Sequence, residues 1–363
     1  MAEISASMVK ELREKSGAGM MDCKKALNET NGDMDAALEF LKKNGQAKAE
    51  KKASRIAAEG ICCIASEGNS AAVVEVNSET DFVAKNEKFQ NFVKEVAEQA
   101  LKSNAADINA FMAESWTKDT SKTVNDVQVE MTATIGEKIS IRRFAKVNAS
   151  GAVATYVHGG GRIAVIVEGT VAGTEEALTN VAMQIAAMNP QYISRDDISA
   201  EEMKKLEEIT IDSALNDPET LPKPILGKLI EKALADKLWS DEDVAAYEKE
   251  KSNKYLFNFL SDAAKAALAG LAMQDKANIV ADKIFSGLAQ GRISKQLKDI
   301  CLMDQVYVKA EDGKQNVAAY LKSVNADLKI ANYVRFETGE GMEKKNEDFA
   351  AEVAAQQAAA KKA

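Results

Sequence analysis

The 363-residue chain is poor in the residues that build metal, redox and histidine-based catalytic sites, with one histidine and four cysteines. The lone histidine, His158, excludes any two-histidine metal motif. Cys23, Cys62, Cys63 and Cys301 show no C-x-x-C spacing, which argues against a zinc site and a disulfide framework. Adjacent Cys62 and Cys63 on a strand would face opposite sides, as small apolar fillers in a reducing compartment. Only four prolines point to a helix-rich architecture with few rigid turns. No apolar run approaches the roughly 20 residues needed to span a bilayer. Residues 1–5 carry no basic stretch leading into an apolar one, so no secretory signal is visible. These absences predict a cytoplasmic protein that needs no membrane, metal or cofactor.

Acidic residues outnumber basic ones, 56 to 47, for a net charge of -9. That balance argues against a nucleic-acid coat protein, because phosphate binding is driven by clustered Lys and Arg. A basic partner surface, or simply solubility, suits the sign better. With 46% hydrophobic and 28% charged residues, the chain has ordinary globular composition and the length for two or more cores.

Residues 1–45 read as three short helices. Ile4, Met8 and Leu12 lie at helical spacing behind Ser5 or Ser7 as N-cap, and Gly17-Ala18-Gly19 breaks that helix. Met21, Ala26 and Leu27 mark a second helix that ends at Asn31-Gly32. Asp33 caps a third, carrying Ala36, Ala37, Phe40 and Leu41. Residues 46–55 are Ala- and Lys-rich and read as a helical, solvated linker or a basic contact strip.

Two strand-strand-helix patterns follow, about 90 residues apart, and predict a duplicated α+β core. The first has strands around a turn at Gly68-Asn69 and a helix with Phe89, Phe92, Val93 and Val96. The second has strands joined at Gly159-Gly160-Gly161 and a helix with Leu178, Val181, Ile185 and Met188. The triple glycine lacks both the G-x-G-x-x-G and the Walker lysine patterns, and it joins two strands instead of opening a helix; it reads as a hairpin turn. Residues 198–302 read as helical, interrupted by Pro218, Pro222 and Pro224, and form an inserted antiparallel hairpin or small helical subdomain. Strand character returns at Tyr333-Val334-Arg335-Phe336, and an Ala-rich helix is expected from Asp348 onward.

Bond-making chemistry has weak support. A Cys62 or Cys63 pair with His158 needs hydrogen-bond reach and an orienting group, and neither cysteine has thiolate-forming surroundings. Met20 and Met21 open a helix; one is expected to pack inward and the other to be free for a partner. In Thr80-Asp81-Phe82-Val83-Ala84-Lys85-Asn86 a strand delivers an aromatic ring beside a carboxylate at an element junction. Read from residue chemistry alone, Phe82 belongs in the core with Asp81 capping the next helix. The alternative is a ring presented to another protein's pocket.

Ordered motifs along the chain choose between them. Ser16-Gly17-Ala18-Gly19-Met20-Met21-Asp22-Cys23-Lys24-Lys25-Ala26-Leu27, the Thr80–Lys85 phrase and Ile135-Gly136-Glu137-Lys138-Ile139-Ser140-Ile141-Arg142-Arg143 come first. Tyr156-Val157-His158 with its glycines and Arg162, Cys301-Leu302-Met303-Asp304-Gln305 after Gly291-Arg292, and Gly339-Glu340-Gly341-Met342-Glu343 follow. Together they resemble the elongation factor Ts family, nucleotide exchange factors of the GTPase elongation factor Tu. The resemblance implies a ubiquitin-associated-like domain over 1–45, a linker over 46–57 and core halves over 58–146 and 147–197 with 303–337. It also implies a helical hairpin or coiled coil over 198–302 and a C-terminal module over 338–363 with a helix.

The same resemblance implies that the chain is no enzyme and binds elongation factor Tu in its GDP-bound and nucleotide-free forms. Asp81 and Phe82 would enter near the partner's magnesium and phosphate site, within the signature formed with Thr80, Val83, Ala84 and Lys85. Met20, Met21, Lys24, Ile135, Gly136 and His158 would dock. It further allows a homodimer through the second core half. A scaffold that binds elongation factor Tu, or another partner, without promoting exchange is the alternative function. Two departures from the family pattern are the length of residues 198–290 and Val306-Tyr307, where Pro-Phe is common.

Overall fold

A computed structural model describes residues 4–343. It divides into two compact units: the described residues up to Asn189 together with those from Leu321 on, and Pro190–Tyr320. The Ala-rich segment from Asp348 lies outside the described residues.

The first unit opens with α1 (Ala6–Ser16), α2 (Met20–Glu29) and α3 (Met34–Lys52). Ser5 caps α1 by accepting the Met8 amide at 3.3 Å, and Asp33 caps α3 by accepting that of Ala36 at 2.9 Å. Between α2 and α3 the backbone turns left-handed at Asn31 and Gly32. Leu12, Cys23, Ala26, Leu27 and Ala37 close a small core. The Lys-rich stretch is structured: α3 carries it as far as Lys52.

Two three-stranded antiparallel sheets follow, built to the same plan. The first orders β1 (Glu59–Glu67), β2 (Ser70–Ser78) and β5 (Ser140–Asn148), the second β6 (Ala152–His158), β7 (Ile163–Gly169) and β8 (Ile330–Glu337). After β2 come α4 (Asp81–Ala84), α5 (Glu87–Lys102), α6 (Ile108–Ala113), a short hairpin of β3 (Ser115–Trp116) and β4 (Asp119–Thr123), and α7 (Val124–Ile135). The sheet then closes with β5. In the second sheet, β6 and β7 precede α8 (Glu175–Met188), and β8 completes it much later in the chain.

One face of the first sheet, through Ala72, Val74 and Val76, packs on Phe89, Phe92, Val93 and Val96 of α5. Its other face, through Cys62, Ala71 and Val73, packs on Val153, Ala164, Ile166 and Phe336 of the second sheet. Helix α8 packs against β6 and β7. The order helix, sheet, sheet, helix explains why β2 is buried on both faces and reads as a continuous apolar run. Cys62 and Cys63 point into different cores, as their alternation on β1 requires. The glycine turn between β6 and β7 abuts the first sheet. Gly161 accepts the Cys62 amide at 2.7 Å, and a Cβ there would lie 2.4 Å from Ile61 Cγ2. Any larger residue at 161 would be strained at φ +101° and would have to displace the Ile61 side chain.

The second unit is helical: α9 (Ala200–Leu215), α10 (Lys223–Ala235), α11 (Asp241–Glu250), α12 (Asp262–Gln274), α13 (Lys276–Ala281) and α14 (Lys283–Ile300). Of the two forms the sequence left open, the segment takes the small subdomain, with Leu215, Trp239, Phe257, Leu268 and Phe285 in a core of its own. Pro218, Pro222 and Pro224 fall in the break between α9 and α10. The Cys301–Gln305 phrase ties the ends of this unit together. Leu302 donates to the Tyr192 carbonyl at 2.9 Å, and Arg195 pairs with Asp304 at 2.7 Å. The chain leaves along α15 (Val317–Val324).

Candidate functional site

Helix α4 is a single turn, too short to hold itself, because helix nucleation costs more than one hydrogen bond returns. Its support comes from both sides. Thr80 is the N-cap and accepts the Val83 amide at 3.4 Å; Val83 is buried in the first-sheet core. Asn86 caps α5 by accepting the Lys88 amide at 2.9 Å, fixing the exit. Thr80 also donates its amide to Glu137 Oε2 at 3.0 Å and its hydroxyl to Glu137 Oε1 at 2.8 Å. Reciprocally, the Lys138 amide donates to Glu79 Oε1 at 2.6 Å.

On this braced turn Phe82 points outward and is 80% exposed. The core placement favoured by residue chemistry is therefore corrected, and so is Asp81 as the cap. Thr80 and Asn86 do the capping, and Asp81 occupies the first helical position, where its carboxylate complements the helix N-terminus. Asp81 pairs with Lys85 at 2.7 Å, and this hydrogen bond to the ammonium holds its carboxyl below the usual range. Both partners are solvated, so the pair costs little to open. Ala84 lies on the same turn, and its carbonyl accepts from Gln90 at 3.3 Å.

Asp81, Ala84 and Lys85 line a cleft of about 400 Å³ whose other wall includes Gly159, Gly160 and Arg162. The signature and the glycine turn, distant in sequence, are thus brought together. His158 sits exposed at the start of that turn, with Nδ1 2.9 Å from the Tyr156 hydroxyl.

Gly136 ends α7 in the left-handed conformation at φ +86°, and Ile135 before it is half-buried. The Gly136 carbonyl accepts Lys52 Nζ, and Lys138 Nζ donates to the Ala53 and Arg55 carbonyls at 2.7 and 2.8 Å. The end of α3 is thereby tied to the Ile135–Lys138 segment, and through Glu137 to Thr80. Further back along α3, Lys48 pairs at 3.0 Å with Asp22 of α2, beside Met20 and Met21. The expectation that one of these methionines packs inward is corrected: they are 59% and 76% exposed. Cys23, Ala26 and Leu27 fill that helix's inner face instead. Lys24 is also exposed.

Helix α7 was missed in the sequence, although Val124, Val127, Met131 and Ile135 recur at helical spacing, and with it the tie between α3 and the signature. It also gave Glu137 and Glu79 no role. The signal was present, since Glu137 lies inside the Ile135–Arg143 phrase.

A cysteine nucleophile finds no support. Burial pushes the Cys62 thiol up to about 12, against the hydrogen bond with Thr338 that lowers it, and burial also raises Cys63. No cluster of three or more His, Cys, Asp or Glu able to hold a metal occurs among the described residues, and no described helix is long and apolar enough to cross a membrane.

A family model described as Elongation factor TS matches residues 79–340. Elongation factor Ts of Clostridioides difficile (strain 630) is 41% identical over 364 residues, covering 98% of this chain and 99% of that protein. The match runs through the braced turn, the glycine turn and the helical unit alike. The chain belongs to the elongation factor Ts family of translation elongation factors.

Proposed function

We propose that this chain is a guanine nucleotide exchange factor that acts on elongation factor Tu in the cytoplasm and makes or breaks no covalent bond. The observation that carries the proposal is the exposed ring of Phe82 on a turn braced by a buried valine, two caps and a carboxylate. A large aromatic held in solvent by such a frame is suited to entering a pocket on another protein.

In the proposed mechanism Phe82 wedges into the GTPase beside its nucleotide. Asp81, released from Lys85, acts near the magnesium and phosphate groups. Met20, Met21 and Lys24 on α2, Ile135 and Gly136 at the end of α7, and His158 at the glycine turn supply docking contacts. Exchange factor and nucleotide then weaken each other by one coupling free energy. A reciprocal weakening of about 10,000-fold corresponds to about 5.5 kcal/mol, within reach of a wedge plus distributed contacts. Loss of metal and phosphate contacts removes charge-assisted bonds to the nucleotide and speeds its departure.

Release of fluorescent GDP from elongation factor Tu, measured with the chain far below stoichiometry, tests the proposal. An exchange factor turns over and empties the whole GTPase pool. A scaffold that only binds leaves the release rate at its spontaneous value, and that result would remove the proposal.

A further inference from the structure

The exposed ring of Phe82 cannot be aimed by its own packing, so its direction is set by the backbone of α4. Three things fix that backbone: the buried side chain of Val83, the Asn86 cap of the following helix, and Thr80. The first two are local in sequence. Thr80 is different, because both its amide and its hydroxyl are committed to the carboxylate of Glu137, 57 residues away. A carboxylate that accepts two bonds from one residue fixes position and orientation together, and charge-assisted bonds are the stronger kind.

The grip is doubled. Glu79, the residue before Thr80, accepts the amide of Lys138, the residue after Glu137. The two segments therefore exchange side-chain-to-backbone bonds at adjacent positions. Arg55 adds a pair to Glu79 at 3.3 Å, while Lys138 Nζ holds the Ala53 and Arg55 carbonyls.

We propose that Glu137 is a positioning residue for nucleotide exchange: its two-point grip on Thr80 sets the direction in which Phe82 leaves the surface. This rests on the exchange reading above. Without the grip, α4 keeps its buried valine and the protein stays folded, but the ring samples directions that miss its pocket. Glu137 acts through Phe82 and touches no nucleotide.

The test is a double-mutant cycle on the rate constant for GDP release from elongation factor Tu, with wild type, Glu137→Ala, Phe82→Ala and the double variant. Loss of charge-assisted bonds predicts a fall of about tenfold for Glu137→Ala in the wild-type background and less than about twofold in the Phe82→Ala background. A purely structural role would lower the rate by the same factor in both, and that result overturns the inference, as does an unchanged rate in both. Thr80→Ser, which keeps the hydroxyl, is expected to retain the wild-type rate, whereas Thr80→Val, which keeps the amide bond to Glu137 but loses the hydroxyl bond and the cap on Val83, is expected to lower it. These variants serve if Glu137→Ala folds poorly.

Amide hydrogen exchange on the free proteins reads the grip without the GTPase. Faster exchange at Thr80 and Val83 in Glu137→Ala is expected, and unchanged protection contradicts the inference. If wild type fails to accelerate GDP release, the exchange reading falls and takes this role with it. If wild type accelerates, Phe82→Ala is slow and Glu137→Ala matches wild type, only the positioning role falls.

Discussion

The carboxylate of Glu75 accepts the backbone amide of Gly339 at 2.8 Å, joining the middle strand of the first sheet to the turn that follows the last strand of the second. Glu75 is fully buried and also takes Arg142 at 3.0 Å and Arg143 on its other oxygen. Arg143 in turn lies 4.2 Å from the centroid of the Phe336 ring on β8. One buried anion thus ties the two halves of the duplicated core at this edge, beside the apolar packing between the sheets. Burial alone would raise its carboxyl, but the bonds from Gly339, Arg142, Arg143 and Asn77 outweigh burial and hold it below the usual range.

Glu75→Gln should therefore destabilise the first unit by about 3 kcal/mol, because it leaves two guanidinium groups without their buried anion. The pH dependence has a definite sign. The unfolded chain takes up the proton first, near the ordinary glutamate value. Stability from Glu75 is then present above about pH 4.3 and is lost as pH falls through the lower folded value. Thermal unfolding from pH 7 downward should show a shallower acid decline in the variant than in wild type.

The turn at Gly339 offers a second check on the same junction. Its φ is +72°, and a Cβ there would sit 2.2 Å from the Ala58 carbonyl oxygen, a backbone atom that cannot swing away. Gly339→Ala should cost about 1–3 kcal/mol in urea unfolding of the first unit. A variant as stable as wild type would contradict the tight approach.

The local elements were legible because their signals are local. Ser5 and Asp33 cap the helices they precede, Asn31-Gly32 turns left-handed, and the glycines at 159–161 make a hairpin. The alternation of Cys62 and Cys63 between two cores was visible for the same reason. Phe82 was not legible from residue chemistry, because an aromatic after an apolar strand is usually core. The turn that carries it is braced by buried Val83, the Asn86 cap and two bonds that Thr80 donates to Glu137, far along the chain. Met20 and Met21 misled similarly: a helix start carries apolar residues whether or not they find a core, and here Cys23, Ala26 and Leu27 take the inner face. In the helical unit, apolar positions marked the helices but not how they fold back on one another, so a hairpin and a small subdomain both remained open.

Lys24→Ala and His158→Ala should weaken binding to elongation factor Tu by about 0.5–1 kcal/mol each while leaving this chain's thermal stability unchanged, as expected for exposed contact residues. Titration calorimetry with the nucleotide-free GTPase measures this. Unaltered affinity would take the residue concerned out of the docking surface.

Alkylation tests whether Cys62 or Cys63 acts as a nucleophile. With Cys62 pushed up to about 12 by burial and Cys63 also raised, neither is a thiolate at pH 8. Iodoacetamide at that pH should label these cysteines slowly in the native protein and leave GDP release intact. Rapid labelling of Cys62 with loss of function would point to an active thiol.

The most direct test of the central claim is stopped-flow release of fluorescent GDP from elongation factor Tu driven by Phe82→Ala. Removal of an aromatic anchor worth about 2 kcal/mol predicts roughly thirtyfold slower acceleration, with circular dichroism and melting temperature unchanged. Acceleration equal to wild type would contradict the claim that this ring dislodges the nucleotide.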